Sequence, residues 1–158
     1  MINETPDDYT ETVQSHMNSR MPAVHRIGLV AAGIIGITLL VVAFRLKPNP
    51  KGYGTHQQLG FSRCSFIEFF GIPCPSCGMT TSWSNLMNGK IIQSFRANPG
   101  GALLGICTLI ISPWVLISGL TGKWFYTSPN MAWLFFATLG ICAVTVTQWV
   151  IRVTLFPL

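Results

Sequence analysis

The chain has 158 residues, of which 49% are hydrophobic and 9% charged, with ten Lys or Arg against five Asp or Glu. Soluble domains carry roughly one quarter charged residues, so this composition sets the soluble classes aside and points to one modest membrane domain. The net charge of +5 fits anionic lipid headgroups better than nucleic acid, which is not expected as a partner.

All the charged residues fall outside three apolar stretches, 27–44, 100–120 and 131–151. With a rise of about 1.5 Å per residue these stretches reach about 27 to 32 Å, close to the thickness of bilayer hydrocarbon, and each is predicted to span. A soluble globule of this size would have too little surface left to cover three such helices.

Residues 1–26 read as a polar tail of mixed charge, with Glu4, Asp7, Asp8 and Glu11. Its length, and the absence of small residues suited to cleavage before Arg45, argue against a cleaved signal peptide. In the first span Gly28, Ala32 and Gly36 recur every fourth residue, a face on which another helix is expected to pack closely.

The segment 45–99 opens with a turn-rich linker from Lys47 to Gly54, whose prolines and glycines forbid a continuous helix. Cys64 and an apolar run over 66–72 follow. Pro73 and Pro75 then hold the chain extended around Cys74-Pro75-Ser76-Cys77. From Gly78 the spacing predicts a short amphipathic helix, with Met79, Trp83, Leu86 and Met87 on the apolar side and Thr81, Ser84, Asn85 and Asn88 opposite. Asn88-Gly89 is its stop signal. A second short helix over 90–97 carries Ile91, Ile92 and Phe95 on one face before Asn98-Pro99 turns the chain into the second span. Both short helices are expected at the headgroup boundary or packed on the bundle.

The second span contains Ser112-Pro113, an expected kink. The link over 121–130 is short enough to make spans two and three an antiparallel hairpin. Trp124, Tyr126 and Trp133 at one end and Trp149 at the other read as aromatic belts. The fold class is therefore all-α: an integral membrane protein with three transmembrane helices and one or two short interfacial amphipathic helices. Arg45, Lys47, Lys51, Arg63, Lys90 and Arg96 place six of the ten cations in the first loop. That predicts a cytoplasmic loop, an outer N-terminus and an inner C-terminus, with Arg20 and Arg26 opposing.

Of the five cysteines, Cys107 and Cys142 lie inside spans and read as small packed hydrophobes. Cys64, Cys74 and Cys77 form the candidate thiol or metal site, and three uses compete for it. A redox pair would draw on the dipole of the helix opening at Gly78 to favour the thiolate of Cys77 or Cys74, but lacks a βαβ setting. A zinc-type centre would take three thiolates and His56. In the third use, which the spacing favours, the sulfurs simply pack, with Ser76, Thr80 or Thr81 satisfying backbone groups.

No cofactor is expected, zinc entering only with the metal use. No other catalytic constellation is visible, since Glu68 is the sole acidic residue after position 11, and His16, His25 and His56 read as ordinary polar residues. Without acidic groups in the spans, proton-coupled transport is not expected either.

Gly71, Pro73, Cys74, Pro75, Cys77, Gly78, Thr80, Gly89, Asn98 and Pro99 together resemble the hallmark of a family of small bacterial membrane proteins known as domain of unknown function 2752. Its pattern is Gly-x-Pro-Cys-Pro-x-Cys-Gly-x-Thr-Arg-Ala, a short helix, a Gly followed by a polar residue, and Asn-Pro opening a transmembrane helix. Cys64 resembles the upstream cysteine of many members, and the likeness covers about residues 60–120. Thr81-Ser82 stands where the family has Arg-Ala, so no role that needs the guanidinium carries over. The resemblance implies the bacterial cytoplasmic membrane and names no reaction. The expected role is a membrane-embedded interaction or structural component, with the lipid bilayer and another membrane protein or a second copy as partners. A thiol-redox or metal-binding protein is the alternative.

Overall fold

The computed structural model describes residues 21–124 and 130–155, and the expectations for the tail up to residue 20, for His16 and for Tyr126 lie outside them. Among the described residues the regular structure is helical: α1 (Ala23–Arg45), a 3-10 turn (Thr55–Leu59), α2 (Ser65–Phe70), α3 (Met79–Met87), α4 (Ile91–Ala97), α5 (Pro99–Thr121) and α6 (Met131–Leu155). The helices α1, α5 and α6 are each long and apolar enough to cross a membrane. The chain is an all-α membrane protein with three such helices.

Helix α1 begins four residues before the predicted span, directly after Pro22. The extra turn holds Arg26, whose Nε donates to the Gly119 carbonyl at 3.2 Å and whose Nη2 donates to that of Leu120 at 3.0 Å. Those are among the last carbonyls of α5, which have no partners within their own helix and carry its negative end. One cation thus ties the start of α1 to the end of α5.

Along this pair the buried residues of α1 are Gly33, Gly36, Leu40 and Ala43. A Cβ on Gly33 would stand 2.7 Å from Leu116 Cβ, and one on Gly36 would collide with Ser112 Oγ. The expected stripe of Gly28, Ala32 and Gly36 is therefore corrected: Gly28 faces open space and Ala32 is exposed. A helix turns every 3.6 residues, so a strict four-residue stripe drifts around it, whereas alternate steps of three and four stay on the contact line. Helix α5 remains a single helix through Pro113.

Helix α6 packs on α5 alone among the helices. Thr145, late in α6, lies against Gly100, early in α5, so the two run antiparallel. Residues 46–98 fold against the opposite end of the bundle from Arg26. There α3 packs on α1, α4 and α5. Its buried residues are Thr81, Ser82, Ser84 and Asn85, while Met79, Trp83, Leu86 and Met87 are half-buried.

Each inward polar group has a partner. Thr81 Oγ1 lies 2.7 Å from Thr55 Oγ1, and Ser84 Oγ donates to the Leu46 carbonyl at 2.6 Å. Ser94 Oγ donates to the Ser82 carbonyl at 2.8 Å, and Ser82 Oγ donates to that of Asn98 at 3.1 Å. Among the described residues no buried side-chain N or O lacks a hydrogen bond. Small hydroxyls and amides can be buried at little cost when so satisfied. Apolar side chains face outward instead: Phe66, Phe69 and Phe70 on α2, and Ile91 and Ile92 on α4, are all exposed, as suits elements lying at the lipid boundary.

Candidate functional site

The three loop cysteines come from separate local structures. Cys64 precedes α2, and its carbonyl accepts from Ile67 N–H at 2.9 Å and Glu68 N–H at 3.2 Å. Gly71 closes that helix with φ +67. The chain then runs through Pro73, Cys74 and Pro75 into a turn in which Cys77 N–H donates to the Cys74 carbonyl at 2.9 Å and Met79 N–H to that of Ser76 at 3.0 Å.

Two residues fix this turn against the bundle. Gly78 has φ +91, and a Cβ there would stand 2.6 Å from Gly52 O and 2.7 Å from Ala97 O, so conformation and space both require glycine. Asn98 caps α5 by accepting from Gly101 N–H through Oδ1 at 2.8 Å, while Pro99 takes the first helical position, where its missing N–H costs nothing. The Nδ2 of Asn98 points the other way and donates to the carbonyls of Pro75 and Cys77, each at 3.3 Å. The amide that starts a membrane span thus holds the Cys-Pro-Ser-Cys turn.

The result is a cluster. The Sγ atoms of Cys64, Cys74 and Cys77 all lie within 4.8 Å of one another, and all three thiols are free. Cys77 is buried, Cys64 and Cys74 are half-buried, and Ser76 Oγ lies 3.3 Å from Cys74 Sγ. Among the described residues, His56 is outside this set of donor atoms. It lines the cavities beside the cluster, of about 200 and 300 Å³, and its Nε2 donates to the Ser62 carbonyl at 3.3 Å. Thr80 lines the second cavity. Thr81 pairs with Thr55 Oγ1 rather than with the backbone of the turn. Cys107 and Cys142 stay in their spans, outside the cluster.

The environments of the thiols differ. Burial pushes the Cys77 thiol up, the neighbouring Cys74 and Cys64 add to this, and together they take it to about 12, with Arg152 opposing. The expectation that the dipole of α3 favours the thiolate of Cys77 or Cys74 is corrected at Cys77, where loss of hydration and like charge raise the thiol instead. Burial also raises Cys64, but hydrogen bonds from the Ile67 backbone, from Cys74 and from the Phe66 backbone outweigh it and leave this thiol below its ordinary value.

Sequence reading missed three groups around the cluster. Trp149 Nε1, expected only as a belt residue, donates to the Pro73 carbonyl at 2.6 Å. Arg152 lies 5.9 Å from the centre of the Tyr53 ring. Thr55 accepts from Asn49 N–H at 3.0 Å and so closes the linker. The only signal available was that the polar side of α3 carries no charge, which is unusual for a solvated face.

The comparisons with known proteins bear on this same stretch. No curated protein and no solved structure matches the chain. Residues 64–112, 49 of the 158, match the model of the family described as "Protein of unknown function (DUF2752)", the family that the sequence resembles, and the matched stretch contains all three clustered cysteines together with Gly78 and Asn98.

Proposed function

We propose that this three-span membrane protein holds one soft or borderline metal cation, zinc foremost, on the thiolates of Cys64, Cys74 and Cys77. The convergence of three sulfurs within 4.8 Å carries the reading. Zinc–sulfur bonds of about 2.3 Å separate the sulfurs of a tetrahedral centre by about 3.8 Å, so small side-chain adjustments would close the set. A disulfide would join two of the three and strand the last.

Sulfurs that merely fill space have no reason to converge, and all three of these line a cavity. A redox pair would use two of the three thiols and leave the convergence of the third without a role. Three thiolates leave one tetrahedral position for water or an exchangeable ligand. The six cations of segment 45–99, joined by Arg152, favour a cytoplasmic loop, and in that compartment thiols stay reduced and available to metal.

Cobalt(II) titration of the reduced protein in detergent tests the reading. A thiolate-to-metal charge-transfer band should saturate at one equivalent, be displaced by zinc, and be lost when any of the three is changed, as in Cys64→Ser. Absence of the band, or isolation of the native protein with two of these thiols already joined, overturns it.

A further inference from the structure

Beside the thiol cluster lies a third cavity, of about 350 Å³, into which three separate segments bring a cation: Lys51 from the linker, Arg96 from the last turn of α4 and Arg152 from near the end of α6. No acidic residue lines it. Glu68, on α2, is the sole carboxylate side chain among the described residues. We propose that this cavity binds a phosphate oxyanion, and that its source is the headgroup of a phospholipid in the leaflet on the loop side. The proposal is independent of the metal reading.

Three lines of geometry support it. Arg152 is held in place, its guanidinium 5.9 Å from the centre of the Tyr53 ring and its Nη2 4.0 Å from where a Cβ on Gly52 would stand. That glycine, at φ +80, lets the linker pass close to the arginine. A fixed, half-buried fork is preorganised for an oxyanion in a way that a free surface lysine is not. Gln93 lines the same cavity and adds an amide donor.

Depth is the second argument. Arg96 comes three residues before α5 begins and Arg152 three before α6 ends. Both therefore sit where apolar helix gives way to headgroup, the level at which lipid phosphates lie. The third is balance of charge: cations gathered without a carboxylate repel one another and leave a positive potential that an oxyanion relieves. The volume is ample, since a water occupies about 30 Å³ of liquid.

Titration of the detergent-purified protein with short-chain phosphatidylglycerol, followed by native mass spectrometry, reads the site directly. One lipid should bind per chain. Binding should weaken about tenfold or more in Arg96→Gln and in Arg152→Gln, the loss of one charge-assisted hydrogen bond, and stay unchanged in Lys90→Gln, which lies outside the cavity. Arg96 is exposed, so its variant keeps the test open if Arg152→Gln fails to fold. Displacement of the lipid by millimolar inorganic phosphate would uphold the oxyanion site and overturn the lipid source. Absence of lipid binding, or equal binding by the wild type and the folded Arg96→Gln variant, overturns the site.

Discussion

Gly78 shows how one residue can be required twice over. Its φ of +91 alone makes any side chain unfavourable by about 1–2 kcal/mol, and the two facing atoms, Gly52 O and Ala97 O, are backbone and cannot swing aside. Gly89 also has positive φ, at +73, yet nothing lies within 4 Å of its Cβ position. Gly89→Ala should therefore cost about 1 kcal/mol and Gly78→Ala several times that, read as thermal unfolding in detergent. Equal losses would mean that the turn is not wedged between the linker and α4. Cys77 gives a prediction in pH. Its thiol rises from 9.0 to about 12 in the folded chain, so above about 9 the unfolded state sheds a proton that the folded state keeps. Metal-free protein should hold its full stability below about pH 9 and lose it progressively towards about 12. A metal must displace the same proton, so affinity at neutral pH should rise up to about tenfold per unit for each proton released. Competition against a chelator at two pH values measures this slope, and a flat profile would exclude Cys77 as a ligand.

Among the elements, α5 does more than span, because its cap reaches back to the thiol turn. Asn98→Asp separates the two jobs. The aspartate keeps an oxygen for Gly101 N–H and suits the positive end of the helix, but it cannot donate to the Pro75 and Cys77 carbonyls. The variant should fold with α5 intact while Cys77 becomes several times more reactive to alkylating reagents, as followed by mass spectrometry of the modified thiol; unchanged reactivity would show that the turn stands without Asn98. Much of this architecture was legible in advance. Three uncharged stretches announce three long helices through composition alone, and Asn88-Gly89 and Asn98-Pro99 mark real boundaries through local backbone chemistry. The polar packing of α3 was not legible, because offsets 0, 4, 7 and 8 define an apolar side without saying that the polar side is buried as well. Trp83 and Leu86 meet α5 at Gly105, while the satisfied Ser, Thr and Asn side chains are buried on the other side. Trp149 and Arg152 were also beyond reach, since their partners Pro73 and Tyr53 lie more than seventy residues away and no local pattern joins them.

At the scale of the whole molecule, the fold places the thiol cluster, the cationic cavity and the end of α6 on one side of the membrane and Arg26 on the other. Three crossings make this unavoidable: α1 delivers the chain to the loop side, α5 leaves it, and α6 returns to set Trp149 on Pro73 and Arg152 over Tyr53. The cysteines therefore share one fate. With the loop side cytoplasmic, as proposed from its cations, an impermeant maleimide applied to intact cells should leave Cys64, Cys74 and Cys77 unlabelled. After permeabilisation the half-buried Cys64 and Cys74 should label first, Cys64 favoured by its lowered thiol value, and Cys77 last. Zinc added beforehand should protect all three together, because one ion holds the set. Labelling from outside would reverse the orientation and put the thiols in an oxidising compartment, where a disulfide becomes the expected state. Protection of only two of the three would keep the orientation and remove the third from the metal site.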